Sequence, residues 1–156
     1  MMTDYKCVTS VDGIREYLAD NRIVAFDFET SPDDPFRKED KAALDPAKSH
    51  IVGCSFSIAE SSGIYVPIAH RVGANIDSTS FFNFLRAFLT DRNTIKIAHN
   101  IAFESAFAYA LGIVIQMPVY DTICAAQMCL KNTFEFRKLN ECGLKRLAEE
   151  LFNEPL

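Results

Sequence analysis

The chain has 156 residues, of which 49% are hydrophobic and 24% are charged, and its formal net charge is −5. These values are typical of a single globular domain and exclude a disordered tail, a collagen-like fibre and a low-complexity scaffold. The longest apolar stretch, residues 106–115, is about half as long as a membrane span, and no apolar signal core follows the N-terminus. We therefore expect a cytoplasmic protein with no membrane partner.

The net charge by itself argues against a nucleic-acid partner, but the charge is unevenly distributed. Residues 27–45 carry a local charge of −4, and residues 131–146 carry +3. An acidic centre beside a basic strip suits a metal site flanked by a phosphate-binding surface. Two solvated stretches of opposite sign explain the same pattern.

Five cysteines form an odd set without a Cys-x-x-Cys pair. This spacing does not favour a zinc site, and the odd count does not favour a disulfide framework. We expect reduced and mostly buried thiols.

The spacing of apolar and turn-forming residues predicts four strands and five helices. The strands are 23–30, 50–60, 64–70 and 94–98; the helices are 11–20, one begun by Asp77-Ser78 and continuing through Leu89, then 102–111, 122–130 and 143–152. The order predicts an α/β fold in which an antiparallel meander is joined by a later strand through a helical crossover, with helices on both faces. The long loop 31–48 is expected to be mobile or functional.

The first strand carries a candidate site in the run Phe-Asp-Phe-Glu-Thr, residues 26–30. Because side chains alternate along a strand, Asp27 and Glu29 share one face while Phe26 and Phe28 share the other. Two neighbouring carboxylates resist desolvation unless a cation lies between them, which favours a hard divalent metal. A solvent-exposed face of an antiparallel strand remains the alternative.

A second candidate site lies at the junction of a strand and a helix, in His-Asn-Ile-Ala-Phe-Glu, residues 99–104. Such junctions commonly hold ligand-binding groups in α/β proteins. Asn100 and Glu104 are four residues apart and project from the same helical face. Glu104 is a candidate third carboxylate; an Asn near a helix cap followed by an exposed Glu is the alternative. Asp121, before the next helix, is interpreted as a structural N-cap.

These two motifs resemble the first and second motifs of the DEDD superfamily of 3′–5′ exonucleases. Further similarity lies between the two motifs, at 51–58 and 65–70, and after them, at 120–126 and 147–151, so that the resemblance covers about residues 23–152. The segments 51–58 and 65–70 form a predicted hairpin. They resemble the proofreading domain of bacterial family-A DNA polymerases more than they resemble the ribonuclease D branch of the superfamily. The resemblance implies a ribonuclease-H-like (DnaQ-like) fold.

The resemblance also implies a two-metal hydrolysis that uses two Mg²⁺ or Mn²⁺ ions. Asp27 would bridge both ions, Glu29 would bind the ion that activates water, and Glu104 would hold the ion beside the leaving oxygen. The implied substrate-binding residues are Thr30, His99, Asn100 and Phe103. Of these, Asn100 would contact the terminal nucleotide, and Phe103 would pack near its base or sugar.

Two features depart from the family pattern. Glu104 stands where the family has Asp, and the third motif, Tyr-x-x-x-Asp or His-x-x-x-x-Asp, does not occur in the sequence. We therefore expect residues 1–156 to form a single exonuclease domain, truncated at its C-terminus, with weak or no activity by itself.

The expected partners are a single-stranded DNA 3′ end and an attached or associated polymerase domain. A noncatalytic domain that binds nucleic acid or stabilises a polymerase is the first alternative. A ribonuclease D-like exoribonuclease is the second.

Overall fold

The computed structural model describes residues 4–130 and 142–153. Within them lie six strands and five α-helices. The strands are β1 (Asp4–Cys7), β2 (Ile23–Pro32), β3 (Ser49–Ala59), β4 (Ser62–Pro67), β5 (Ile95–Ala98) and β6 (Val119–Asp121). The helices are α1 (Val11–Leu18), α2 (Ser78–Thr90), α3 (Ile101–Ala110), α4 (Thr122–Leu130) and α5 (Leu144–Phe152). Lys131, Arg137 and Lys138 of the basic strip lie outside the described residues.

The strands form one mixed sheet in the order β1-β4-β3-β2-β5-β6. Strands β2, β3 and β4 are the predicted antiparallel meander, and β5 lies parallel to β2 as the predicted crossover strand. The α/β prediction is therefore confirmed. In the register, Phe26 lies opposite Phe56, Asp27 opposite Ser55, and Phe28 opposite Cys54.

Both edge strands were missed by the sequence prediction. Strand β1 pairs in parallel with β4, and β6 pairs in parallel with β5. All four residues of β1 are exposed, and β6 has only three residues. Neither segment is long enough, or apolar enough on one side, to show the alternation that marks a half-buried strand.

The predicted end of β4 at His70 is also wrong. The strand ends at Pro67, and the N–H groups of Ile68 and Ala69 both donate to the carbonyl of Val52. The N–H of His70 donates to the side chain of Asn75 instead of a strand neighbour. The chain therefore leaves the ladder before the apolar run finishes.

The main core lies between the sheet and α2. Phe81, Leu85 and Leu89 are fully buried on one face of this helix, as its apolar spacing predicts. Phe88 of the same helix packs edge-to-face on Phe26 and Phe56, with ring centroids 5.6 and 5.5 Å apart. Asp77 begins α2 by accepting the N–H of Ser80 at 2.8 Å.

The opposite face of the sheet carries a groove of about 770 Å³. Asp27, Ser55, Ile97 and His99 line it together with Leu144 of α5. Helices thus lie on both faces of the sheet, as predicted. The groove on the second face includes Asp27, one of the two acidic residues of β2.

The loop after β2 folds into two short 3₁₀ turns, Asp34–Phe36 and Ala42–Leu44. Thr30 Oγ1 donates to the carbonyl of Ala43 at 2.6 Å, and Ser49 Oγ donates to the carbonyl of Asp45 at 2.8 Å. Ala42 is buried. These contacts join the loop to the ends of β2 and β3.

All five cysteines are free thiols, which agrees with the expectation of a protein without disulfides. Cys54 and Cys142 are buried, but Cys7, Cys124 and Cys129 are exposed, so the expectation of mostly buried thiols is wrong. Cys7 lies on an edge strand, and the other two exposed thiols lie on α4. No helix in the described ranges is long and apolar enough to cross a membrane.

Candidate active site

The acidic residues of β2 lie on the open side of the strand. Phe26 and Phe28 are each 3% exposed, whereas Asp27 and Glu29 are exposed on the opposite face. Strand alternation places them as predicted. Because the two phenylalanines belong to the core, the backbone that carries the carboxylates is held in place.

Asp27 lies where several charges meet. The protein around its carboxyl group removes part of its hydration, and this is the main reason that its pKa is raised. The nearby charge of Glu29 raises the pKa further, while His99 lowers it. Asp27 is therefore within electrostatic reach of residues from both sequence motifs.

Glu104 reaches the same region from α3, and it is only 1% exposed. The pairing of β2 with β5 ends at Ala25 opposite Ile97, so the next part of the β2 edge has no partner from β5. The backbone N–H of Phe28, on β2, is near enough to the Glu104 carboxyl group to lower its pKa. The predicted alternative of an exposed Glu is thus wrong, because α3 turns this side chain against the sheet.

Burial raises the pKa of Glu104 to about 7, and the negative charges of Asp27 and Asp121 act in the same direction. The backbone N–H groups of Phe28 and of Glu104 itself favour the charged form but do not outweigh burial. Near neutral pH this carboxyl group is close to its titration midpoint.

One oxygen of Glu104, Oε2, is buried without any hydrogen-bond partner among the described residues. A buried carboxylate oxygen without a partner is costly, and the neighbouring charge of Asp27 adds to the cost. A divalent cation would bind the unpartnered oxygen and would offset the repulsion between the two carboxylates. Carboxylate oxygens are the ligands that Mg²⁺ and Mn²⁺ prefer. The chemistry of Asp27, Glu29 and Glu104 therefore fits a hard divalent metal.

The three carboxylates do not form a single cluster. Across the described parts of the chain, no group of three His, Cys, Asp or Glu side chains is arranged to hold a metal ion. Asp27 interacts electrostatically with Glu29 and separately with Glu104. The structure thus brings them together as two pairs that share Asp27.

His99 lies between Asp27 and the start of α4. Its Nδ1 lies 2.9 Å from Thr122 Oγ1, and that hydroxyl donates its proton to the carbonyl of Ala98 at 3.2 Å. Since the hydroxyl hydrogen is used in this way, His99 Nδ1 is the donor to Thr122, and neutral His99 keeps Nε2 as an acceptor. Nε2 is buried, and no side chain or backbone group of residues 4–130 and 142–153 hydrogen-bonds to it.

The other three predicted substrate-binding residues differ in their surroundings. Asn100 is exposed and has a left-handed backbone, with φ at 68°. Phe103 is half-buried against the core, with its ring 4.9 Å from that of Phe107. The hydroxyl of Thr30 donates to Ala43, so this side chain contributes to holding the loop after β2.

Asp121 has a wider role than the predicted N-cap of α4. It does accept the N–H of Ile123, as a cap should, but it also accepts the N–H groups of Asn100 and Ile101. No local pattern of residues predicts these two hydrogen bonds, because the two segments are about twenty residues apart and meet only when β6 pairs with β5.

Tyr65 is a second residue that sequence reasoning missed. Its hydroxyl lies over Gly53, at 1.8 Å from where a Cβ would stand, and 2.6 Å from His70 Nε2. Burial raises the pKa of Tyr65, and the nearby Glu29 raises it further. A glycine inside a strand often marks such a close approach and was the available signal.

Comparison with known proteins identifies the family of the chain. Residues 5–156 match the family model described as 3′–5′ exonuclease. The chain belongs to the 3′–5′ exonuclease domain family of family-A DNA polymerases. The predicted resemblance of the chain to the DEDD-type 3′–5′ exonucleases is thereby confirmed.

Two curated relatives are DNA polymerase I proteins. The one from Chloroflexus aurantiacus is 29% identical over 106 residues, covering 68% of this chain and 10% of the relative. The one from Pseudomonas aeruginosa is 25% identical over 153 residues, covering 93% of this chain and 15% of the relative. The chain therefore spans about a tenth to a seventh of the length of these relatives.

Solved structures of nucleases share the fold. Brucella melitensis NrnC has a TM-score of 0.65 at 20% identity, over 100% of this chain and 63% of its own. Escherichia coli RNase D, an exoribonuclease, has a TM-score of 0.63 at 19% identity, over 99% of this chain and 35% of its own. At these identities the likeness shows the ribonuclease-H-like fold, which was predicted.

Proposed function

We propose that this exonuclease domain removes nucleotides from the 3′ end of single-stranded DNA by a mechanism that uses two Mg²⁺ or Mn²⁺ ions. The observation that carries the proposal is the buried Glu104, whose Oε2 has no partner among the described residues and whose pKa is raised in part by the nearby charge of Asp27. Such a pair is difficult to explain as packing, because like charges destabilise each other in a partly buried site. Membership of the exonuclease family supports the same conclusion.

In the proposed reaction, water attacks the last phosphodiester phosphorus and the bond to the 3′ oxygen of the preceding nucleotide breaks. The products are a nucleoside 5′-monophosphate and a strand with a new 3′ hydroxyl. Asp27, Glu29 and Glu104 would hold the cations. Divalent cations in such a site lower the pKa of water and stabilise the attacking and departing oxygens.

The remaining residues are proposed to orient the substrate. The exposed Asn100 presents an amide at the start of α3, and His99, whose Nδ1 is held by Thr122, lines the same groove as Asp27. Phe103 is proposed to contact the terminal nucleotide with the part of its ring that the core leaves uncovered. Thr30 is proposed to act near the substrate through its backbone, since its hydroxyl is occupied.

A 5′-labelled single-stranded DNA oligonucleotide tests this function. With Mg²⁺ or Mn²⁺ we expect a ladder of products shortened from the 3′ end, absent in chelator and absent for Asp27→Ala. Activity is expected to be weak, since the sequence supplies three motif carboxylates and lacks the third motif. A ladder that persists in Asp27→Ala would reveal a contaminating nuclease and would remove the support for this site.

A noncatalytic nucleic-acid-binding role is the second candidate. It is favoured by the lack, in the described ranges, of three side chains arranged around a metal position. Calorimetric titration with Mn²⁺ separates the two. Saturable binding that Asp27→Ala removes supports the catalytic function, whereas oligonucleotide binding without any saturable Mn²⁺ binding supports the noncatalytic one.

The choice between DNA and RNA is tested by matched oligonucleotides. We propose a DNA substrate on the basis of the polymerase relatives, with an attached or associated polymerase domain as partner. Matched single-stranded DNA and RNA of one sequence are compared by kcat/KM. A clear preference for RNA would favour a ribonuclease D-like activity.

A further inference from the structure

The dipeptide Asp121-Thr122, at the junction of β6 and α4, lies against the segment that carries the second motif. We propose that Asp121 and Thr122 are positioning residues that hold His99, Asn100 and the start of α3 in the orientation that the active site requires. The inference rests on the proposed exonuclease function for its catalytic consequence, but its structural part is independent of that function.

Asp121 caps two helices with one carboxylate. Its Oδ1 accepts the N–H groups of Asn100 at 2.9 Å and Ile123 at 3.0 Å, and its Oδ2 accepts the N–H of Ile101 at 3.1 Å. The first N–H groups of a helix lack partners within the helix, and α3 has no cap from the side chain of Asn100. Asp121 therefore supplies to α3 the cap that its own sequence does not.

The backbone of Asn100 depends on this contact. Its φ of 68° lies in the left-handed region, which is unfavourable for residues other than glycine, although Asn tolerates it better than most. Strain of this kind persists only where the surroundings fix it. The two adjacent hydrogen bonds to Asp121 fix the peptide groups on both sides of this turn.

Thr122 fixes His99, the residue that precedes Asn100 in the second motif. Its hydroxyl donates to the carbonyl of Ala98 and accepts from His99 Nδ1. Ala98 also lies opposite Asp121 in the parallel pairing of β5 with β6. The dipeptide is therefore anchored by the sheet, and its two side chains control three consecutive residues of the motif.

The consequence for the site follows from the direction of α3. This helix starts at the turn that Asp121 holds, and one turn later it carries Glu104 against the edge of β2. A rotation at Asn100 would move the Glu104 carboxylate away from Asp27 and redirect the Asn100 side chain. Displacements of about 1 Å in an active site can lower the rate about a hundredfold.

The test compares Asp121→Asn with Asp77→Asn. Both substitutions exchange one carboxylate oxygen for an amide nitrogen that cannot accept a hydrogen bond, and Asp77 caps only the start of α2 among the contacts observed. We expect Asp121→Asn to lower kcat on single-stranded DNA at least tenfold. Asp77→Asn should stay within about twofold, even where the two variants lose similar thermal stability.

Thr122 offers a second matched pair. Thr122→Val keeps the shape of the side chain but removes both hydrogen bonds, whereas Thr122→Ser keeps the hydroxyl. Thr122→Val should lower kcat more than it changes KM, and Thr122→Ser should restore most of it. A general loss of folding would affect both variants and would not be rescued by the hydroxyl.

Amide hydrogen exchange and Mn²⁺ affinity provide readouts that do not need activity. In Asp121→Asn, the amides of Asn100 and Ile101 should exchange at least tenfold faster than in the unmodified chain, and Mn²⁺ should bind more weakly; Asp77→Asn should change neither. Equal exchange, equal Mn²⁺ affinity and equal kcat in the two variants would overturn the inference. If the unmodified chain degrades neither DNA nor RNA, the proposed function fails while exchange and Mn²⁺ affinity still decide the positioning role.

Discussion

At the scale of single residues, Glu104 combines features that rarely occur together in a structural side chain. It is buried, one of its oxygens has no hydrogen-bond partner in the part of the chain that the structure describes, and its pKa is raised to about 7. The sequence identified this residue by its position in a motif, and it also identified Asp27 and Glu29 by strand alternation. The sequence could not predict the burial of Glu104 or the atoms that surround its carboxyl group, because both depend on how α3 packs against β2.

The raised pKa of Glu104 predicts that metal-free stability falls as pH increases. Between the pKa of an unfolded Glu, 4.5, and about 7, the folded chain binds more protons than the unfolded chain, so the free energy of unfolding decreases with pH. The shift corresponds to roughly 3 kcal/mol between pH 4.5 and 8. Glu104→Gln should lack this contribution.

Urea unfolding of both chains at pH 5, 6, 7 and 8 in chelator provides the measurement. The difference in unfolding free energy between Glu104→Gln and the unmodified chain should grow with pH in favour of the variant. A difference that stays constant across this range would show that the pKa of Glu104 is not raised.

At the scale of elements, packing of α2 on the sheet supports the strand that carries Asp27 and Glu29. The helix was predicted from its apolar spacing and its Asp77 cap, and both are observed. Its contacts with β2 and β3 were not predicted in detail. A helix face identified by periodicity does not reveal which strand it will cover.

Phe88→Ala should lower the free energy of unfolding by about 3–5 kcal/mol, because it removes a buried ring that packs edge-to-face on Phe26 and Phe56. Phe82→Ala on the same helix is the control. Phe82 is only half-buried, so Phe82→Ala should lower the free energy of unfolding clearly less than Phe88→Ala does. Chemical denaturation measures both, and equal losses would contradict the packing described for α2.

A second prediction concerns the hairpin of β3 and β4. Gly53→Ala places a methyl group at 1.8 Å from the Tyr65 hydroxyl, which is held by His70, so it should destabilise the fold by about 1–3 kcal/mol. In a chain that already carries Tyr65→Ala, Gly53→Ala should lower the free energy of unfolding much less. A double-mutant cycle from denaturation curves gives the coupling, and additive losses would show that Tyr65 does not lie over Gly53.

At the scale of the whole molecule, one mixed sheet brings together residues far apart in the chain. Pairing of β2 with β5 places the first motif beside the second, and pairing of β5 with β6 adds Asp121-Thr122. The sheet is thus the reason that residues from three segments lie beside one another at the candidate site. Cation binding to that site should stabilise the entire domain.

Thermal unfolding with increasing Mn²⁺ measures this stabilisation. A ligand present at about 100 times its Kd adds about 2.7 kcal/mol to the free energy of unfolding, which corresponds to a rise in Tm of about 5–10 °C for a domain of this size. Asp27→Ala should show no saturable rise. A rise of equal size in that variant would place the cation elsewhere.

The sequence by itself determined the local structure of the elements with a clear periodicity, and it showed which face of a strand carries Asp27 and Glu29. Strand alternation placed Asp27 and Glu29 opposite Phe26 and Phe28, and helical spacing defined α2, because both depend only on backbone periodicity. The tertiary structure alone decided the edge strands, the burial of Glu104, and the hydrogen bonds of Asp121 to Asn100 and Ile101. These features arise from contacts between segments distant in the chain, and no local pattern of residues encodes them.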